Sequence, residues 1–509
     1  MSEPRKYYIT TAIDYANGPP HLGHALEKIG ADAMARYHRL NGERVHFVIG
    51  QDEHGLKVLQ SAEASAVTPQ QWVDELASRF AAMWRRLAIS NDDFVRTTQA
   101  RHARSVTELI RRIDAAGDLY RGSYAGYYCI GCEAFKREDE LILDEAGTLR
   151  CPTHPTRDVE WTEEQNWFFR LSTYQDSLLR LLDERPEFVQ PESRLNEIRR
   201  LVEGGLDDIS VSRAGLDWGV PWPGDEQHVV YVWIEALVNY LSATGFPDPG
   251  YDALWPADVH VIGKDITRFH CVIWPAMLMS AGLALPRAVW AHGFINFGGR
   301  KLSKSEGVRV ELEEAVERHG PDAFRYAILR EVPWTGDGDF SWDRFDARYT
   351  ADLADDFGNL INRTLSMIER YRAGVVPAGE RTSLDQAVVG ALVRYRAAMD
   401  ANLLHQGAAV ALELAAAANG FIEARAPWSQ AKEPSAAAEL DATLASLART
   451  AAVLATLLHP FIPGKIDELL PCLALDAVIG LDDVGALDLS GRTVHRGEVL
   501  FPKPRPAPA

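Results

Sequence analysis

Apolar positions in the N-terminal third alternate between two rhythms. Lys6–Ile13 reads as a buried strand, 14–20 as a turn-rich loop, and Leu22–Leu40 as a helix with Leu22, Ala25, Leu26, Ile29, Ala33, Tyr37 and Leu40 on one face. Val45–Ile49 gives a second buried strand. Strand, loop, helix and strand in this order predict a right-handed α/β crossover of the doubly wound kind, whose ligands lie beyond the carboxyl ends of the strands. The segments 14–24 and 50–55 fall there. Helical pattern continues to about Ala116, and then glycines, tyrosines and cysteine pairs replace it to about Pro223. The α/β rhythm resumes with Val229–Tyr240, a strand at Val259–Gly263, a helix over Thr267–Ala281 and a strand through Val289–Phe297. Gly298-Gly299 suits a tight hairpin turn. From about Thr350 the chain is helical and alanine-rich, and the Pro-rich tail Phe501–Ala509 is expected to fray.

This pattern predicts an α/β unit in two halves, 1–116 and 226–297, separated by an insertion at 117–225 and followed by a loop segment at 298–349 and an all-α part at 350–509. A chain of 509 residues is long enough for several cores. Its 47% hydrophobic and 25% charged residues are those of a globular protein, and no stretch approaches the roughly 20 uninterrupted apolar residues of a membrane span. The N-terminus lacks the apolar core of a signal peptide, so the expectation is a cytoplasmic protein with no membrane partner. The net charge of −19 disfavours nonspecific nucleic-acid binding over the whole surface, but local basic grooves survive an acidic average.

Two short motifs carry phosphate chemistry. Pro20-His21-Leu22-Gly23-His24 falls between a strand and its helix, where unpaired N–H groups and the helix dipole favour an anion. His21 and His24 share a face and can both donate to phosphate oxygens, while Gly23 leaves room for a nucleotide. The ordinary alternative is a pair of histidines in a helical turn with no ligand, and the segment alone leaves both open. Lys301-Leu302-Ser303-Lys304-Ser305, bounded by Gly307, follows the Gly-Gly turn. Such a loop can close over a polyphosphate and neutralise charge on a leaving group, although alone it is also a common solvated turn.

A third constellation is Cys129-Ile130-Gly131-Cys132 with Cys151-Pro152-Thr153-His154 after 18 intervening residues. Three thiolates and one imidazole complete a tetrahedral zinc shell with no position left for water, so one structural zinc per chain is expected. Cys271 and Cys472 stand apart and read as buried thiols.

HLGH near the N-terminus and KLSKS some 280 residues later, across a split α/β unit, resemble the HIGH and KMSKS signatures of class I aminoacyl-tRNA synthetases. The resemblance to methionyl-tRNA synthetases extends over nearly the whole chain, from Ala12-Ile13-Asp14-Tyr15-Ala16-Asn17-Gly18 through Tyr231-Val232-Trp233-Ile234-Glu235-Ala236-Leu237 to His292-Gly293-Phe294. It implies a split Rossmann-like nucleotide-binding domain with a zinc-bearing insertion, then a helical anticodon-binding domain. It also implies ligation of L-methionine to tRNA(Met) through an adenylate, with Mg2+ accompanying ATP. His21, Gly23, His24 and Lys304 would bind ATP, with His21, His24, Lys301 and Lys304 catalytic. The methionine pocket would comprise Ile13, Tyr15, Trp233, Ala236, Tyr240 and His270, with Asp52 on the amino group. A thioether packs well on aromatic rings, and a buried ammonium needs a carboxylate. Asn359, Arg363 and Trp428 would contact the anticodon, as amide, guanidinium and indole suit unstacked bases. Without the resemblance, a solvated helix face and a core tryptophan would be the better reading.

Two rivals remain at this stage. Branched-chain class I enzymes carry a long editing insertion for which the roughly 110 residues here leave little room, and cysteine enzymes place zinc in the active site. A non-catalytic tRNA-binding relative would have no need of phosphate motifs. Methionyl enzymes that dimerise often do so through an appended C-terminal barrel, and with none after the helical part a monomer is expected.

Overall fold

The structure is a computed structural model that describes residues 4–131, 134–136, 138–144, 147–152, 154–301 and 310–503. Its centre is a seven-stranded parallel sheet built from both halves of the chain. β1 (Lys6–Thr11), β2 (Asp14–Tyr15), α1 (Leu22–Leu40), β3 (Arg44–Asp52), α2 (Leu56–Ala64), α3 (Pro69–Arg86), β4 (Asp93–Arg96) and α4 (Ala100–Ala115) form the first half. β1 lies between β3 and the strand Val259–Gly263, with Ile9 opposite Val259, so the second half completes the sheet begun by the first. The strands Val259–Gly263 and Ala288–His292 run side by side, and Val189–Gln190 pairs with Val289–Trp290 at the sheet edge. Part of the interval that the sequence sets apart as an insertion therefore returns to the central sheet.

The remainder of that interval combines antiparallel strands with the helices Gln175–Glu184 and Glu192–Glu203. Leu119–Cys129 pairs along its whole length with Glu160–Phe169, and a small three-stranded sheet of Ile142–Leu143, Leu149–Cys151 and His154–Asp158 hangs from its far end. α1 has the bounds expected of it, because His21 supplies an N-cap before a run that buries Leu22, Ala25, Leu26, Ile29, Ala33 and Tyr37. The helix expected over Thr267–Ala281 is interrupted: Phe269–Ile273 form a π-helical turn before Trp274–Ser280 continue as α-helix. The strand expected through Val289–Phe297 likewise breaks into Ala288–His292 and Ile295–Phe297. The latter turns through Gly298-Gly299, both with positive φ, into Arg300–Lys301 as the hairpin predicts.

Residues 312–469 are mainly helical, apart from the short strand Gly338–Phe340, which runs parallel to Ile295–Phe297, and the described chain beyond Leu469 is largely irregular. One apolar cluster runs from the α1 face of the sheet into this helical part, and a second fills the opposite face. Two segments, Leu404–Gln430 and Pro434–Leu458, are long and apolar enough to cross a bilayer by composition. The second is 89% buried, as the central helix of a bundle is. The start of the tail departs from expectation, while residues 504–509 lie outside the described residues: Phe501 is 3% exposed, packs edge-on against Tyr349, and is followed by Pro502, whose carbonyl accepts from the Tyr349 hydroxyl. Proline content favours fraying, but an aromatic side chain with a buried seat outweighs it.

Candidate active site

The HLGH turn is self-capped. The Gly23 amide donates to His21 Nδ1 at 3.2 Å, and the His21 amide donates to His24 Nδ1 at 3.3 Å, with the two rings stacked 3.6 Å apart. With both Nδ1 atoms accepting, each neutral ring carries its proton on Nε2. A Cβ on Gly23 would lie 3.1 Å from the His21 ring, so the glycine makes room for the histidine as well as for a ligand. Behind the turn, fully buried Lys28 donates to the Ala12 carbonyl at 2.8 Å and to Asp14 at 2.7 Å, which ties α1 to the loop that precedes it.

Of the residues expected around methionine, Ile13, Tyr15 and Asp52 lie at the carboxyl ends of β1 and β3. Tyr15 lies opposite Asp52 in the β2–β3 pairing, and Asp52 is 6% exposed. Ile13 comes close to β3 at Gly50, where a Cβ would meet its side chain. Across from them, the helix Val232–Leu237 carries half-buried Trp233 and buried Ala236. Trp233 stacks on Phe269 at 4.6 Å, next to His270. The His270 Nδ1–H faces the Ile266 carbonyl at 3.0 Å, so its Nε2 accepts from the Tyr240 hydroxyl at 2.6 Å. Burial pushes the His270 imidazole down to about 4, so it is neutral near pH 7. Behind it, His260 accepts from Trp274 Nε1 and so presents Nδ1–H to the Thr10 hydroxyl at 2.7 Å, again as a neutral ring. The group around Trp233, Tyr240 and His270 is thus aromatic and its imidazoles are neutral, which suits a thioether.

The lysine loop is placed only at its base. Lys301 pairs through its backbone with Asn296, while its side chain and residues 302–309, Lys304 among them, lie outside the described residues. The base itself is anchored: Asp337 accepts from the Phe294 amide and from Lys264, each within 2.8 Å, and Asp339 accepts from the Gly299 amide at 2.7 Å.

Where the strand Leu119–Cys129 ends against the small antiparallel sheet, Cys129, Cys151 and His154 bring their ligand atoms within 4.8 Å of one another, with Cys129 Sγ 3.9 Å from His154 Nδ1. Neither cysteine is in a disulfide. Gly131 permits the cluster, because a Cβ there would meet the His154 ring at 2.5 Å. Two thiols and an imidazole at this separation fit a tetrahedral metal. Cys132 lies outside the described residues. In the helical part, Asn359 is exposed, Arg363 pairs with Glu423 at 2.6 Å, and Trp428 starts a short helix after Pro427 with 39% exposure. Glu423 lies in the last turn of the helix Leu404–Arg425, five residues before Trp428.

Residues 7–160 and 148–365 match the family model of "tRNA synthetases class I (M)", and 373–504 match that of the anticodon binding domain of methionyl tRNA ligase. The chain belongs to the methionyl class I tRNA synthetases. It is 41% identical to a methionine-tRNA ligase of Streptomyces coelicolor over 99% of this chain and 98% of that one. To the methionine-tRNA ligase of Mesorhizobium japonicum it is 46% identical over 93% and 92%. A methionyl-tRNA synthetase of Mycobacterium tuberculosis, solved in complex with methionyl-adenylate, superposes with a TM-score of 0.94 at 40% identity, covering 98% of this chain and all of that one.

Two buried polar groups of this synthetase escape a reading of motifs. His54, Glu235 and His102 form a buried cluster, with Glu235 0% exposed and 2.6 Å from His54. Asp32 and Arg325, both fully buried, pair at 2.7 Å and join α1 to the helix Pro321–Glu331, while Arg325 also donates to the Leu87 and Pro460 carbonyls. Their signal in sequence is faint: a charge at a position where helical periodicity calls for an apolar residue.

Proposed function

We propose that this synthetase charges tRNA(Met) with L-methionine in two steps at the site formed by the carboxyl ends of β1 and β3. Its activity as a methionine-tRNA ligase follows from its family; the residue roles are our reading. Asp52 pairs with the methionine ammonium, while Ile13, Tyr15, Trp233, Ala236, Tyr240 and His270 enclose the thioether. The methionine carboxylate attacks the ATP α-phosphate in line, and His21 and His24 donate from Nε2 to oxygens that gain charge in the transition state. Lys301 and Lys304, on the loop carried by the anchored hairpin, close over the departing pyrophosphate, and Mg2+ accompanies the ATP. The adenylate then transfers its acyl group to the terminal ribose of the tRNA, with Asn359, Arg363 and Trp428 engaging the anticodon.

One structural zinc per chain, held by Cys129, Cys132, Cys151 and His154, would fold the small antiparallel sheet. The reduced thiols suit the cytoplasm, and we take the enzyme to act there as a monomer, which sedimentation tests. The observation that best supports the methionine reading is the aromatic group of Trp233, Tyr240 and neutral His270, whose helix Val232–Leu237 is tied through Glu235 to His54, two residues beyond Asp52. ATP–pyrophosphate exchange measured across the amino acids tests it: methionine alone should support rapid exchange, and equal exchange with leucine or valine would overturn it.

A further inference from the structure

Glu235 occupies an unusual position for a carboxylate. It lies in the helix Val232–Leu237 between Trp233 and Ala236, is 0% exposed, and takes His54 Nδ1 at 2.6 Å on the oxygen that also faces His102 Nε2 at 3.5 Å. His102 in turn reaches the Ser242 hydroxyl at 3.0 Å. The second Glu235 oxygen has no hydrogen-bond partner among the described residues. Burial alone would raise this carboxyl, but the facing His54 ring holds it down at about 2, and Glu235 in turn raises His54 against its own burial. The carboxylate is therefore held in its charged form, and the imidazole facing it is held more basic than an ordinary histidine.

A buried ion pair with one oxygen unsatisfied is a poor way to gain stability, because desolvation offsets most of the attraction. Its geometry explains more. His54 stands two residues beyond Asp52, at the end of β3 in the first half of the chain. Glu235 stands 181 residues later in the second half, beyond the insertion. Trp233 and Ala236, three apart, share one side of their helix, and Glu235 points away from that side, so anchoring it sets the rotation of the helix about its axis. Trp218 braces the same joint, with its ring edge-on to His54 at 5.2 Å and its indole N–H donating to the Glu53 carbonyl at 2.7 Å.

We propose that the His54–Glu235 pair is a clasp across the split in the fold, which positions the Asp52 side of the methionine subsite against the Trp233 and Ala236 side. This rests on the methionine-pocket reading given above. Both are positioning residues, since neither is placed in contact with substrate. The clasp predicts a selective effect. Glu235→Gln keeps shape and an acceptor but removes the charge, and it should raise the KM and the equilibrium Kd for methionine by about tenfold while the KM for ATP stays within about twofold. His54→Asn should do the same. The double variant should be no worse than either single one, because the two act as a unit.

The measurements are pyrophosphate exchange with each substrate varied, calorimetric titration with methionine, and thermal melting of the full-length chain, with Trp233→Ala alongside. A rise in methionine KM for Trp233→Ala but not for Glu235→Gln would overturn the clasp and leave the pocket reading standing. No change for Trp233→Ala would remove the pocket reading and the clasp with it. Equal increases in both KM values with a lowered melting temperature, or failure of both single variants to fold, would make the pair a requirement of the fold and refute a positioning role.

Discussion

Trp428→Ala separates a base-stacking role from a packing role, because the tryptophan is 39% exposed. A fully buried tryptophan removes up to about 250 Å² from water, so this one buries roughly 150 Å². At about 25 cal/mol per Å² that is worth at most about 4 kcal/mol, and about 2–3 kcal/mol once compactness of the unfolded chain is allowed for. Such a loss lowers the melting temperature but leaves most molecules folded at ambient temperature if the domain has the usual reserve of about 5–15 kcal/mol. A lost base–aromatic stack costs a further 1–3 kcal/mol, roughly, in the tRNA reaction alone. The expected result is therefore tRNA charging reduced about 5- to 150-fold at subsaturating tRNA, with methionine-dependent pyrophosphate exchange unchanged. Both reactions and the melt are measured on one preparation. Parallel loss of exchange and charging together with early melting would end the anticodon assignment of Trp428.

Lys304→Ala should lower the turnover of methionine activation by about 10²- to 10³-fold while methionine binding measured by calorimetry stays nearly unchanged, since the charge is needed when pyrophosphate departs; an unaltered turnover number removes the loop's role. Metal analysis of protein prepared without chelators should find about one zinc per chain, and Cys129→Ser with Cys151→Ser should lose it and loosen the small antiparallel sheet to proteolysis while the nucleotide fold persists; finding no metal in the parent chain refutes the site. Because burial pushes His270 from 6.5 down to about 4, the unfolded chain holds a proton in that interval that the folded chain lacks, so stability should climb with pH from about 4 to 6.5. The contribution is on the order of 3 kcal/mol, and His270→Gln should take about one proton out of the slope of unfolding free energy against pH; an unchanged slope shows that His270 titrates normally in the fold.

Periodicity resolves those elements whose partners are near in sequence. α1 was readable to its end residues because the cap at His21 and the apolar stripe from Leu22 to Leu40 are local signals, and the strand Val259–Gly263 and the turn at Gly298-Gly299 are of the same kind. The π-helical turn at Phe269–Ile273 was not, since the pattern of apolar residues there also suits an unbroken helix. That turn holds His270, and an extra residue per turn is a common way to redirect one side chain at a site. The return of Val189–Gln190 to the sheet edge and the docking of Phe501 beside Tyr349 depend on surfaces that exist only after folding. The motif lysines were visible in sequence, but their hairpin's anchors, Asp337 and Asp339, were not, because nothing local distinguishes them from surface acids.

The histidines show where sequence stops being informative about chemistry. His21 and His24 have their Nδ1 atoms taken by backbone amides, so they offer Nε2–H as donors. His270 has its Nδ1–H taken by a carbonyl, so its Nε2 accepts from Tyr240 and the ring stays neutral. His54 faces a buried carboxylate, which raises its basicity against burial. One residue type thus serves as donor, as acceptor and as the partner of a carboxylate, and the choice is made each time by the group that takes the ring's other nitrogen or faces it. In the first two that group is a backbone atom within four residues, so local spacing could have suggested the tautomer. For His270 it also lies four residues away, but the Ile266 carbonyl is reachable only through the turn that leads into the π-helical segment. For His54 it lies in the other half of the fold, so the charge state of the pocket's support is a property of the assembled sheet and of no segment within it.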